Sequence, residues 1–132
     1  MHKILIVDDH ADIRDLLRMT LDLAQSFDIH EAKNGQEAVD IAATLKPDLV
    51  LMDIMMPGPF DGIEACRRIK AQGGAAIKVI LVSAKPAEEI RQAVKEAGAD
   101  LFMSKPFGPL QLVDSITALY APKAGASTLG AG

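Results

Sequence analysis

The stretch LVLMDIMMPGPFDG, residues 49–62, decides how the rest of the chain is read. Leu49, Val50, Leu51 and Met52 form an apolar run without a polar face, as expected of a strand buried on both sides. The run ends on a carboxylate, Asp53, and the chain then breaks at Pro57, Gly58 and Pro59. A charge at the end of a buried strand is costly unless a partner or a metal ion meets it. The partner has to come from elsewhere in the sequence.

Runs of the same kind stand at residues 3–8 (KILIVD) and 78–84 (KVILVSA). Weaker ones at residues 27–32 (FDIHEA) and 101–106 (LFMSKP) fit more exposed strands. Between them the apolar spacing becomes helical. Ile13, Leu16, Leu17, Thr20, Leu21 and Ala24 make one face, and Ala38, Ile41, Ala42 and Leu45 a second. Ile63, Cys66 and Ile69 point inward from a shorter helix over residues 62–72. Ile90, Ala93, Val94 and Ala97 make another face, and Val113, Ile116, Leu119 and Tyr120 the last. Asn34 with Glu37, and Asp61 with Glu64, have capping-box spacing; Gly98 suits a helix C-cap and Pro109 a first turn. Five strand–helix units with short loops predict an α/β fold, a parallel sheet covered on both faces.

The bulk composition narrows the function. With 132 residues the chain is long enough for one domain with a real core. A net charge of −4 argues against a nucleic-acid surface, which asks for a basic stripe. No apolar run has the length of a membrane span, and the start lacks a signal-peptide layout. One cysteine, Cys66, excludes an internal disulfide, and three scattered histidines make a zinc site a poor expectation. A cytoplasmic location is expected. Residues 1–121 are read as the domain, and residues 122–132, small and without periodicity, as a flexible tail or linker remnant.

In a parallel sheet the C-terminal strand ends share one edge, where ligands bind. Asp8 and Asp9 end the first strand, Asp53 the third, Ser83 the fourth and Lys105 the fifth. Crowded carboxylates repel, and a hard divalent cation relieves that repulsion; Mg²⁺ suits oxygen ligands. Lys105 adds a fixed positive charge and Ser83 a hydroxyl, which together fit a phosphoryl group. Asp53 is the evident nucleophile, able to form an acyl phosphate. Each group has a plainer role when taken alone. Asp8 and Asp9 suit a helix N-terminus, Ser83 a strand-end hydroxyl, and Lys105 a solvated charge. Met52, Met55 and Met56 suit packing and Cys66 a small core position. His10 follows the acid pair and could line the pocket, but an exposed loop is the better expectation for it. The joint placement at four strand ends favours the site.

ILIVDD, LVLMDIMMP, VILVSA and AGADLFMSKPF together resemble the receiver domain of two-component response regulators, over about residues 2–121. The resemblance implies a doubly wound five-stranded sheet of order 2-1-3-4-5 with five helices. It implies that Asp53 is the phosphoacceptor, supplied by a sensor histidine kinase or phosphotransfer protein. Asp9, Asp53 and the Met55 backbone carbonyl would hold Mg²⁺, with Asp8 acting through water. Ser83 and Lys105 would grip the phosphoryl oxygens, Phe102 stands at the switch-aromatic position, and the Lys105–Pro106 bond is expected to be cis. A downstream effector would read the face of the fourth helix, fifth strand and fifth helix.

The sequence departs from the family where three residues, not two, separate Pro57 from Asp61. The last helix also lacks the basic residues of a charged dimer seam. Two other functions compete with the signalling module: a Mg²⁺-dependent phosphohydrolase for small phosphates, and a receiver-like interaction domain that is never phosphorylated. The hydrolase would want a second acid two residues after Asp53, where Met55 stands.

Overall fold

The computed structural model of the chain describes residues 3–24, 26–73 and 76–120. Strands and helices alternate as β1 (Lys3–Val7), α1 (Ala11–Ala24), β2 (Asp28–Ala32), α2 (Gly35–Leu45) and β3 (Leu49–Asp53). They continue as α3 (Gly62–Gly73), β4 (Lys78–Ser83), α4 (Ala87–Glu96), β5 (Leu101–Ser104) and α5 (Pro109–Tyr120). All strand pairs are parallel and the order is β2-β1-β3-β4-β5, as the sequence implied. The tail expected at residues 122–132 lies outside the described residues.

The pleat divides the core. Leu5, Val7, Val50, Met52, Val79 and Leu81 pack on one side against α2, α3 and α4, through Ala38, Ala65, Cys66, Ile69 and Val94 among others. Ile4, Ile6, Leu49, Leu51, Ile80 and Val82 pack on the other against α1 and α5, through Leu21, Leu112 and Ile116. Each such side chain, fully buried, contributes about 1.5–3 kcal/mol. Burial pushes the Cys66 thiol up to about 11, and its Sγ meets the Ala97 carbonyl, so it is a core residue.

Polar staples hold the rim. Arg14 and Arg18 both bind Glu31 on the edge strand β2, and the Arg18 hydrogen bond, with help from Arg14, holds that carboxyl below its usual range. At the opposite end of the strands, Lys70 donates to the Ile77 carbonyl and to Asp100, which also accepts from the Val79 N–H. Asn34 caps α2 by accepting from the Glu37 N–H, while Glu37 accepts in turn from the Lys33 N–H. Asp61 accepts from the Glu64 N–H, but Glu64 turns to Arg67 and Arg68 and leaves the box half made. Gly98 takes φ +86° after α4, as its position predicted. Lys46 ends α2 at φ 52°, a left-handed cap without a glycine to announce it.

One helix face differs from expectation. On α1 only Leu21 is buried, and Leu16 and Leu23 are 58% and 88% exposed. The flank of α1 nearest β2 carries Arg14 and Arg18, both tied to Glu31. That anchors a narrower inward stripe of Ile13, Leu17 and Leu21 and turns Leu16 outward. On α5 the fully buried residue is Leu112, which the periodicity passed over.

Gly62, the first residue of α3, lies against the end of β3. A Cβ there would run into the Asp53 carbonyl oxygen and sit 2.8 Å from the Ile54 Cα, both backbone atoms that cannot swing aside. Alanine gains up to about 1 kcal/mol in helix propensity, whereas overpacking costs about 1–3 kcal/mol. Gly62→Ala is therefore expected to lower stability by about 1–2 kcal/mol in urea melts. Gly108→Ala, with open space around its Cβ, should shift the same melts by no more than about 0.5 kcal/mol.

Candidate functional site

The strand order brings the predicted polar residues to one edge. Asp53 is the last residue of β3, and Asp8 directly follows the neighbouring β1; both carboxylates are buried. Lys105 follows β5, two strands from Asp53. Its backbone N–H donates to the Ser83 carbonyl at 2.9 Å, which ties the loop to the end of β4. From there its Nζ stands 3.6 Å from Asp53 Oδ2 and 3.7 Å from Asp8 Oδ2, bridging both acids. The Lys105–Pro106 peptide is cis.

Burial raises the Asp53 carboxyl above its ordinary value of 3.8, and the nearby Asp8 charge adds to the rise. Lys105 opposes this, as does a hydrogen bond from the Met55 backbone N–H, but desolvation prevails. The acid is thus held in place yet left poorly compensated. Ser83 is fully buried one residue beyond the β4 partner of Asp53, Val82. Its Oγ accepts from the Lys85 N–H at 3.0 Å, and among the described residues its proton goes to no protein acceptor.

The first acid pair is differentiated. Asp8 Oδ1 accepts from the His10 N–H at 2.9 Å and lies 3.1 Å from His10 Nδ1, while its Oδ2 faces Lys105. Asp9 Oδ1 is buried and, among the described residues, has no hydrogen-bond partner. His10 Nδ1 approaches it at 3.3 Å without hydrogen-bond alignment. One ligand atom from each of Asp8, Asp9 and His10 falls within 4.8 Å of the others, so the cluster can hold a metal ion. The orphaned Asp9 oxygen is what a divalent cation would satisfy. The sequence offers His10 as an exposed loop residue in preference to one lining the pocket. Its ring is indeed 64% exposed, and only the fold shows that Nδ1 turns toward the acids.

Beyond the acids, Phe60 anchors the loop after β3. The ring packs against Gly35 at the start of α2, and the Arg68 guanidinium lies 4.0 Å above it. Phe102 pairs in register with Leu81, packs at the border of the core, and lines a groove of about 380 Å³ with Arg91, Val94 and Lys95 of α4.

A buried carboxyl whose folded pKa is raised binds its proton more tightly when folded, so ionising it costs stability. The cost is absent below 3.8 and complete above the raised value. Asp53→Asn should therefore have a higher urea midpoint than the wild type at pH 7. The gain should shrink as pH falls toward 3.8; a gain that does not vary with pH would point to packing instead.

Comparison with known proteins agrees with this geometry. The family model of the response regulator receiver domain matches residues 4–117. The transcriptional regulatory protein ResD of Bacillus subtilis is 45% identical over 117 residues, 89% of this chain and 47% of that protein. The phosphate regulon transcriptional regulatory protein PhoB of Pseudomonas aeruginosa is 40% identical over 117 residues, 88% of this chain and 50% of its own length. The chain spans about half the length of these relatives. Among solved structures, the chemotaxis protein CheY4 of Vibrio cholerae superposes with a TM-score of 0.81 at 28% identity, covering 89% of this chain and 98% of its own. The response regulator domain of Thermotoga maritima CheB gives 0.80 at 32% identity, covering 92% and 99%. With the fold, the edge of acids and these matches in agreement, the chain belongs to the response regulator receiver domain family of two-component systems.

Proposed function

We propose that the protein is a phosphorylation-controlled switch in which Asp53 accepts a phosphoryl group. The donor would be a phosphohistidine on a sensor histidine kinase or phosphotransfer protein. The observation that carries this reading is the single lysine ammonium 3.6–3.7 Å from two buried carboxylates at the ligand-binding edge. An Asp53 oxygen attacks phosphorus, the P–N bond to the donor imidazole breaks, and a mixed anhydride forms on the aspartate. Lys105 moves its charge from the carboxylates to the arriving phosphoryl oxygens, and the free Ser83 proton is available to another of them. Asp9 and Asp53, with the Met55 backbone carbonyl, would hold Mg²⁺, while Asp8, already engaged by Lys105 and His10, would act through water. When bound, Mg²⁺ supplies the charge that lets three acids and a phosphoryl group share one pocket.

The phosphorylated state is read at a distance. Recruiting Ser83 toward the phosphoryl group frees space behind β4, and Phe102 on β5 is placed to move into it. An effector protein or domain would sense the face of α4, β5 and α5. The signalling unit would span residues 1–121, with residues 122–132 as a tail or linker, working in the cytoplasm without itself binding nucleic acid or membrane. No helix among the described residues is long and apolar enough to cross a membrane.

Incubation with Mg²⁺ and acetyl phosphate, followed by intact mass, tests the acceptor. The wild type should gain one phosphoryl group and lose it slowly, and Asp53→Asn should gain none. Continuous turnover of acetyl phosphate would instead mark a hydrolase, and no gain in the wild type an interaction domain. Phe102→Ala should still be labelled, while the amide chemical-shift changes that phosphorylation causes on α4 and α5 fall to less than about half. Undiminished changes would mean that the signal takes another route.

A further inference from the structure

His10 has no part in phosphoryl transfer as described, yet its Nδ1 lies 3.1 Å from Asp8 Oδ1 and 3.3 Å from Asp9 Oδ1. We propose that His10 Nδ1 is a direct donor to the cation at this edge, making it a nitrogen–oxygen site that prefers a borderline first-row ion such as Co²⁺ over Mg²⁺. The proposal rests on the reading of the edge as a cation site and adds the identity of the ion it favours.

Three features carry it. His10 Nδ1 stands 3.3 Å from Asp9 Oδ1, the acid assigned to the cation, and one ligand atom from each of Asp8, Asp9 and His10 falls within 4.8 Å of the others, so no large rearrangement is needed. The histidine is anchored through its own backbone. Its N–H donates to Asp8 Oδ1, and its carbonyl accepts from the Arg14 N–H at 3.1 Å, which seats it at the start of α1. Nδ1 lies 3.1 Å from Asp8 Oδ1, and the buried Asp9 oxygen beside it has no hydrogen-bond partner among the described residues. The exposed side of the ring leaves room for the ion's remaining waters. Oxygen sites hold Mg²⁺ and Mn²⁺ alike, whereas imidazole strengthens binding along the series from Mn²⁺ toward Cu²⁺ and does little for Mg²⁺.

A purely structural role is the competing account, in which Nδ1–H spaces the two carboxylates and any hydrogen-bond donor would serve. Calorimetric titration of the whole chain with Mg²⁺ alone and Co²⁺ alone separates the two. In the wild type Co²⁺ should bind more tightly, with a visible absorption band shifted by nitrogen ligation. In His10→Asn, which keeps a side-chain donor but loses the imidazole, the Co²⁺-to-Mg²⁺ affinity ratio should fall by about tenfold or more. An unchanged ratio, or an equal loss for both ions, would overturn the proposal. So would loss of the preference in His30→Asn, a histidine on β2 away from these acids. Phosphoryl labelling of the wild type in Mg²⁺ is a separate measurement. Its failure would remove Asp53 as acceptor without altering the donor set.

Discussion

Asp8 and Asp53 end two adjacent strands and are buried within reach of the same lysine, so like charges meet where solvent cannot screen them well. A single ammonium can neutralise only part of that pair. Its reach depends on a backbone contact, because the N–H of Lys105 donates to the Ser83 carbonyl and starts the side chain from the end of β4. The parallel pairing of β1, β3, β4 and β5 is thus what puts one cation over two anions drawn from distant parts of the chain. Burial raises the Asp53 carboxyl and Lys105 only partly offsets this, so an added cation would find uncompensated negative charge at this edge.

The rest of the molecule keeps this edge in place without consuming its charges. Arg14 donates to the Asp8 carbonyl and to Glu31, holding the acid-bearing loop against β2. Gly62 brings the start of α3 onto the Asp53 backbone, and its N–H donates to the Ile54 carbonyl. Phe60 fixes the long loop by lying between Gly35 and Arg68. At the far end of the strands the polar groups are paired with each other, as in Lys70 with Asp100 and the Tyr120 hydroxyl with the Asp48 carbonyl. An unpaired buried oxygen, Asp9 Oδ1, is left at the ligand edge, while polar groups at the opposite edge are paired.

Much of this was legible in the residues. The apolar runs through Ile4, Val50 and Val79 read as strands buried on two faces, because they are short, rich in β-branched residues and have no alternating polar side. The polar residue ending each run was equally plain, and in a parallel sheet those ends must meet. Strand positions, helix positions, the α2 cap at Asn34 and the Gly98 turn follow from local chemistry that sequence spacing records directly.

Tertiary structure decided what spacing does not encode. Periodicity alone offered Leu16 to the core, but pairing of Arg14 and Arg18 with Glu31, seventeen and thirteen residues away, settled which side of α1 faces inward. A left-handed cap at Lys46 and the buried Leu112 likewise follow from packing rather than from residue type. The same holds for His10, whose neighbours in sequence are two acids and whose exposure suggested a loop. Backbone hydrogen bonds to Asp8 and from Arg14 seat the residue at the start of α1, and its Nδ1 lies 3.1 Å from Asp8 Oδ1. The sequence by itself determined which groups reach the edge, since strand ends are set by local apolar runs. Only the folded chain decided which of those groups are paired and which are left open, because pairing depends on distances across strands that are remote in sequence.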